Sequence, residues 1–405
     1  MKKHIFAKFY ALILLFAACP LLAGMPDNIE LSAKLNLFWA QADSDFLNNR
    51  KQNSAKLGLD FKYHINENLN FVFLPYAQSS YNVSWEGKTQ TKARIWQSYL
   101  DYNLADFKFN FGRFDFANAH LAPFIYYGED LPQDLARPTS LDGIKHSFAH
   151  KYFSYTLLAA KEAQIIDKTR AKLAGAEITV TPFTWLHLSG FYFYQNKKYP
   201  RNYNKINSKL SLFGGGMEIF LSKTSGLRFY VAQNSGEQLT TNSLITWRKP
   251  YEGYAFNAEI YYQTLYENGI IENKLGLYSF SKNDRFYNFP NKMNIGIIYG
   301  GMNYNNVLLA TPQIVYILFD FKPKKYNFLD AGAGVFLYSG GNKEFNNSTY
   351  NATEINLNAG VKFETWGLKL TGGFFKGEAA ILGTTTSEKQ SIKKLQANFF
   401  YKFSL

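Results

Sequence analysis

The chain has 405 residues, 18% of them aromatic (37 Phe, 29 Tyr and 6 Trp), yet its mean hydropathy is only -0.25. So many rings in so polar a chain overfill a soluble core, and they suit a wall that is greasy outside and wet inside. The net charge of +13 comes without any dense Lys/Arg block, which argues against nucleic acid and for anionic headgroups or an anionic permeant.

Residues 1–24 read as a secretory signal peptide. Lys2, Lys3 and Lys8 precede or open the apolar run Phe9 to Leu22, and Leu22-Ala23-Gly24 supplies small residues for cleavage. That run is too short for a spanning helix and no longer one follows, which excludes a helical membrane protein. Cys19 lies within it, so the expected mature chain, 25–405, contains no cysteine and can form neither a disulfide scaffold nor a thiolate metal site. No cofactor is implied.

From Leu31 onward apolar residues recur at every second position: Leu31, Ala33, Leu35, Leu37, Trp39. The same period returns in Ala55 to Tyr63, Leu69 to Phe73, Leu186 to Tyr194, Tyr254 to Tyr262 and Ile355 to Phe363, each the mark of a strand with one wet face. Connectors alternate in length. Those at 66–68, 181–184, 322–325 and 364–367 are tight, whereas 40–53, 114–140, 195–207, 339–352 and 377–392 are long and polar. Tight turns on one rim and long loops on the other describe an all-β, transmembrane, antiparallel up-and-down barrel. A count of hairpins gives about 20 strands, the weakest being a pair around Asn242 to Trp247 and the segment 281–291. The chain ends in alternation, with Leu395, Ala397, Phe399, Tyr401, Phe403 and Leu405 on one face. This resembles the C-terminal recognition strand of bacterial outer-membrane proteins, which implies the barrel-assembly machinery as a partner.

If the apolar alternates face lipid, the inward set includes Lys108, Lys145, Arg228, Arg248, Lys274, Lys362, Lys369 and Lys402, opposed by Asp101, Glu218, Glu259, Glu354 and Glu364. Phe107, Phe109 and Phe111 share a face, and Phe114 and Phe116 continue it with the parity changed. A β-bulge at Gly112 accounts for the slip and turns Arg113 and Asp115 into the lumen, while a strand that simply ends at Gly112 leaves Arg113 on the rim. The loop that follows carries Glu129, Asp130, Asp134 and Arg137 among aromatics and prolines. It is either an ordered piece folded into the pore or a solvated external loop.

The block from Trp96 to Phe148 resembles the alginate-export porin family. Gln97-Ser98-Tyr99 on a strand, Phe111-Gly112-Arg113, Tyr127-Gly128-Glu129-Asp130-Leu131 and Asp142-Gly143-Ile144 follow that family's order of strand end, acidic loop and strand start, with a looser echo at Lys292 to Gly301. The resemblance implies a monomeric barrel of about 18 strands. It also implies passage of anionic, carbohydrate-type molecules through an Arg-lined lumen, with Arg113 matched residue by residue and Asp142 beside it. Phe114 stands where the family has Gln, and lysine, which lacks the bidentate fork of arginine, carries most of the positive charge here.

Two other functions compete with a channel. A membrane-embedded lipid hydrolase needs Ser, His and an acid together. His146-Ser147 is adjacent, but neighbours in a strand point to opposite faces, and no catalytic motif occurs, so no catalytic residue is expected. A structural or adhesive barrel plugged by its own side chains needs fewer strands than a channel. Gly214-Gly215-Gly216 reads as relief of curvature or room for an inserted loop.

Overall fold

A computed structural model describes residues 26–44, 50–82, 89–117, 126–127, 140–163, 170–200, 205–241, 246–280, 313–324, 326–342, 348–380 and 387–404. Every element among them is a strand. In chain order these are β1 (Ile29–Ser44), β2 (Arg50–His64), β3 (Leu69–Asn82), β4 (Thr89–Leu104), β5 (Phe107–Phe114), β6 (Phe116–Ala117), β7 (Tyr126–Tyr127), β8 (Leu141–His150), β9 (Phe153–Glu162) and β10 (Arg170–Phe183). They continue as β11 (Leu186–Pro200), β12 (Lys205–Phe220), β13 (Ser225–Thr241), β14 (Thr246–Tyr266), β15 (Gly269–Phe280), β16 (Gln313–Pro323), β17 (Leu329–Asn342), β18 (Ser348–Lys362), β19 (Trp366–Ala380) and β20 (Ser387–Ser404).

All but β6 and β7 belong to one 18-stranded antiparallel sheet. β5 pairs with β8 across the β6–β7 excursion, and β20 pairs back onto β1, with Leu35 opposite Tyr401. Closure removes every edge, the condition for a sheet in lipid. The barrel therefore has the strand number that the resemblance implies, two fewer than the hairpin count. Thr246 and Trp247 open the long β14 instead of forming a separate hairpin, and 281–291 lies outside the described residues, as does the echo at 292–301.

Turns such as 105–106, 151–152 and 267–268 lie on one rim, where Ser32 near the start of β1 also sits opposite Ser404 at the end of β20. On the other rim the strands run further than alternation shows. β1 extends to Ser44, β11 to Pro200 and β19 to Ala380.

Burial separates the two faces. Phe111 (61% exposed) lies opposite Ile144 (50%), whereas Phe114 (1%) lies opposite Leu141 (0%). Nothing covers the convex side of a single-layer wall, so the buried parity is the inner one and the exposed apolar parity meets lipid. Several inner rings lie along the wall over a cross-strand glycine: Phe193 over Gly175, Phe191 over Gly214 and Tyr316 over Gly276. A Cβ at any of these glycines would enter the ring or the adjoining backbone, so the Gly214 position of the glycine triplet serves to seat a ring.

Candidate functional site: the inner wall

After Phe114 the chain leaves the wall. Phe116 in β6 is buried with its ring 5.6 Å from that of Phe193 on β11, which stands four strands round the barrel from β5. That is ~19 Å along the wall at the usual strand spacing, so this segment crosses the concave side. Phe114, Leu141, Leu158, Leu173, Phe191, Phe193 and Leu212 pack with Phe116 into an apolar cluster on the inner face. The start of the 114–140 loop thus folds inward, while Glu129, Asp130, Asp134 and Arg137 lie outside the described residues.

The bulge expected at Gly112 is absent, and this corrects the placement of Arg113. Register runs unbroken from Phe107↔Phe148 to Phe114↔Leu141, so Arg113 and Asp142 share the outer face of Phe111 and Ile144. Gly112 takes φ +126, which only glycine adopts without strain, and the turn of backbone inserts no residue. Arg113 donates from Nε to Asp142 Oδ1 (2.6 Å), from Nη2 to Asp142 Oδ2 (3.1 Å) and from Nη1 to the Ile95 carbonyl (3.0 Å). Arg113 and Asp142 do not line the pore.

The register shift lies one strand earlier, between β3 and β4. Pro75 has no N–H to donate to the ladder, and Trp96 is the residue left over, turned inward and buried under Lys56, whose Nζ sits 4.4 Å from its ring centroid. The slip also frees the Ile95 carbonyl that Arg113 takes.

Most of the predicted inward set is on the inner face. Lys108 reaches Asp101 (3.3 Å), which also accepts from Asn110 (2.7 Å), and Lys145 stands over the Phe114 ring. Asp115 is near enough to Lys145 and Tyr99 to act on both electrostatically. Arg228 donates to Glu218 (2.7 Å) and Glu259 (2.9 Å) above the Tyr261 ring, and the Tyr316 hydroxyl donates to the other Glu259 oxygen (2.8 Å). Glu354 accepts from Tyr338 (2.9 Å). Lys274, Lys362, Lys369 and Lys402 share the inner parity, but Glu364 lies in the turn before β19. Arg248, predicted to line the pore, falls by register on the outer parity of β14 with Tyr254 and Ile260.

Charge is segregated around this face. From β17 through β20 to β2 lysine dominates: Lys34, Lys56, Lys62, Lys362, Lys369, Lys394 and Lys402 against Glu30, Asp60, Asp330 and Glu354. From β9 to β16 acid dominates: Glu162, Glu177, Glu218, Glu259, Glu272 and Asp320 against Lys197, Arg228, Lys274 and Lys322. The two arcs face each other across the lumen, because β1 and β12 are nine strands, half a turn, apart in an 18-stranded ring. The sequence shows each charge and its parity, whereas the arcs appear only once strand order is known.

His146 stacks at 4.2 Å on Phe109 on the lipid side, and Ser147 turns inward to Thr156 (3.1 Å), so this pair forms no nucleophile and base. His64 contacts Asn70 (2.6 Å) and Glu30 (2.8 Å) near the short-turn rim. His150 closes β8 beside a turn, and His187 packs on Phe220.

No protein-family model and no curated protein matches the chain. Solved structures do match along nearly its whole length. OccAB2 of Acinetobacter baumannii superposes with a TM-score of 0.66 at 10% identity, over 94% of this chain and 98% of that one. OccK8 (OprE) of Pseudomonas aeruginosa gives 0.60 at 11% identity, over 95% and 100%, and OpdQ of the same organism gives 0.59 at 12%, over 94% and 100%. These neighbours are outer-membrane porin barrels, and the fold of this chain is theirs.

Proposed function

We propose that the protein is an outer-membrane channel, delivered by the leader at residues 1–24, that passes small anionic solutes. The observation that carries this reading is the lysine arc from β17 to β2 facing an acidic arc across the inside of a closed 18-stranded barrel. A barrel of that size leaves an aqueous passage, and low-dielectric walls focus the field of fixed charges into it. The lysine arc concentrates carboxylates or phosphates, and the acidic arc turns any cationic end of the same solute away from them. The comparisons lend no support to alginate or to carbohydrate as the permeant, and Arg113, the residue matched to the alginate exporters, lies on the lipid side.

A plugged structural barrel is the second reading, favoured by the buried inner rings Phe193, Tyr316, Tyr338 and Phe375. Planar-bilayer recording decides between them. Step-wise open conductance with a reversal potential on the anion side under a salt gradient supports the channel. A correctly inserted barrel without conductance rejects it.

A further inference from the structure

Much of the lipid-facing parity is apolar, as with Tyr192 on β11, Leu337 on β17 and Ile355 on β18, all exposed. A polar row departs from it at β5, β8 and β9, and Lys172 on β10, Asn196 on β11 and Lys209 on β12 continue it. Arg113 on β5, Asp142 on β8 and Lys161 on β9 follow one another in cross-strand register along the outer face. They border an open groove of about 530 Å³ that Phe111 walls from the side and the facing pair Gly112 and Gly143 floors. Glycine at both positions leaves only backbone beneath the groove.

Two features point to what fills it. The wall is low here, since β5, β8 and β9 have 8, 10 and 10 residues against 16 in β1 and in β4. Arg113, next to last in β5, stands only ~16 Å above Phe107, inside an apolar belt that is ~25 Å tall in such barrels. Lipid beside it must thin, drawing a headgroup down to the charges. The charges also sum to one excess cation. Asp142 and the Ile95 carbonyl take three of the five guanidinium N–H groups, which leaves two outward, and the other cross-strand neighbour of Lys161 is Lys172, a second cation.

We propose that this groove binds the phosphate headgroup of an outer-leaflet lipid. Lys161 and the free edge of the Arg113 guanidinium donate to phosphate oxygens, and an acyl chain lies against Phe111. The site rests on the barrel being in an outer membrane and is independent of what the lumen conducts.

Native mass spectrometry of the full-length barrel, titrated in mild detergent with bis-phosphorylated lipid A and with the same lipid stripped of its phosphates, tests it. The phosphorylated lipid should bind and the stripped lipid should not. Lys161→Gln should lower that affinity roughly fivefold, the share of one surface cation, with Lys376→Gln on the lipid side of β19 as an unaffected control. Equal binding of both lipids, or equal losses in both variants, overturns the proposal. A dimer peak that Lys161→Gln abolishes assigns the groove to a second copy of the chain and overturns it as well.

Discussion

A guanidinium on the lipid side of a barrel is tolerated only where its donors are satisfied. Arg113 gives two to Asp142 and one to the Ile95 carbonyl, which the slip around Trp96 leaves open. Removing either charge strands the other at the edge of the hydrocarbon. Asp142→Asn should therefore destabilise more than the double variant Arg113→Gln with Asp142→Asn, with a coupling of about 1–3 kcal/mol in urea unfolding from vesicles. Because the pair lies outside the lumen, Arg113→Gln should leave the reversal potential unchanged. A shift toward cations in a properly assembled variant would return Arg113 to the pore. Sequence parity misplaced this residue for a physical reason: it treats every aromatic as lipid-facing. Phe114 and Phe116 are instead buried inside the barrel where the chain turns across it, so a second, inner apolar surface mimics a change of phase.

Strands are legible in this sequence wherever lipid demands a greasy face. Leu31 to Trp39, Tyr254 to Tyr262 and Ile355 to Val361 fall in barrel strands on the expected parity, with Phe363 just past the end of β18. The upper ends, such as Ala42 to Ser44 in β1, lose the apolar alternation, and they read as loop although the ladder continues. Pro75 was the available signal for the true register shift, since a residue without an N–H in mid-strand asks its partner strand for a bulge. Glycine and ring pairs carry a second message at this scale. Tyr316 lies across Gly276, which leaves its hydroxyl aimed at Glu259 (2.8 Å) beside Arg228. Gly276→Val should displace the ring, break that hydrogen bond and destabilise the barrel by about 1–3 kcal/mol. Gly372→Ala on β19, where an added Cβ meets nothing within 4 Å, should stay close to wild type in the same unfolding assay. Equal losses at the two sites would show that backbone entropy, not the ring seat, sets the cost.

At the scale of the whole barrel, selectivity depends on which arc of the inner wall holds unpaired charge. On the acidic arc Arg228 is taken up by Glu218 and Glu259, and Lys274 by Glu272 (3.0 Å). On the lysine arc Lys34 lies opposite Lys402 across the β1–β20 seam, both exposed on the inner parity, so like charges stand together at the short-turn mouth with Asp60 near enough to offset them only in part. Such a pair repels itself and is retained at some cost to the wall, which is the expected signature of attraction for an anion in transit. Replacing both, Lys34→Glu with Lys402→Glu, reverses the sign at the seam without touching the apolar cluster or the Arg228 network. The anion-to-cation permeability ratio from reversal potentials should fall. The fall should be large in dilute salt and small in 1 M salt, because the screening length shortens from about 10 Å at 0.1 M to about 3 Å. Glu272→Gln, which releases Lys274 and lies on the facing arc, should move the ratio the other way. Shifts of the same sign in both variants, or none in either, would mean that the arcs do not act across a shared water-filled passage, and the anion-channel reading would fall with them.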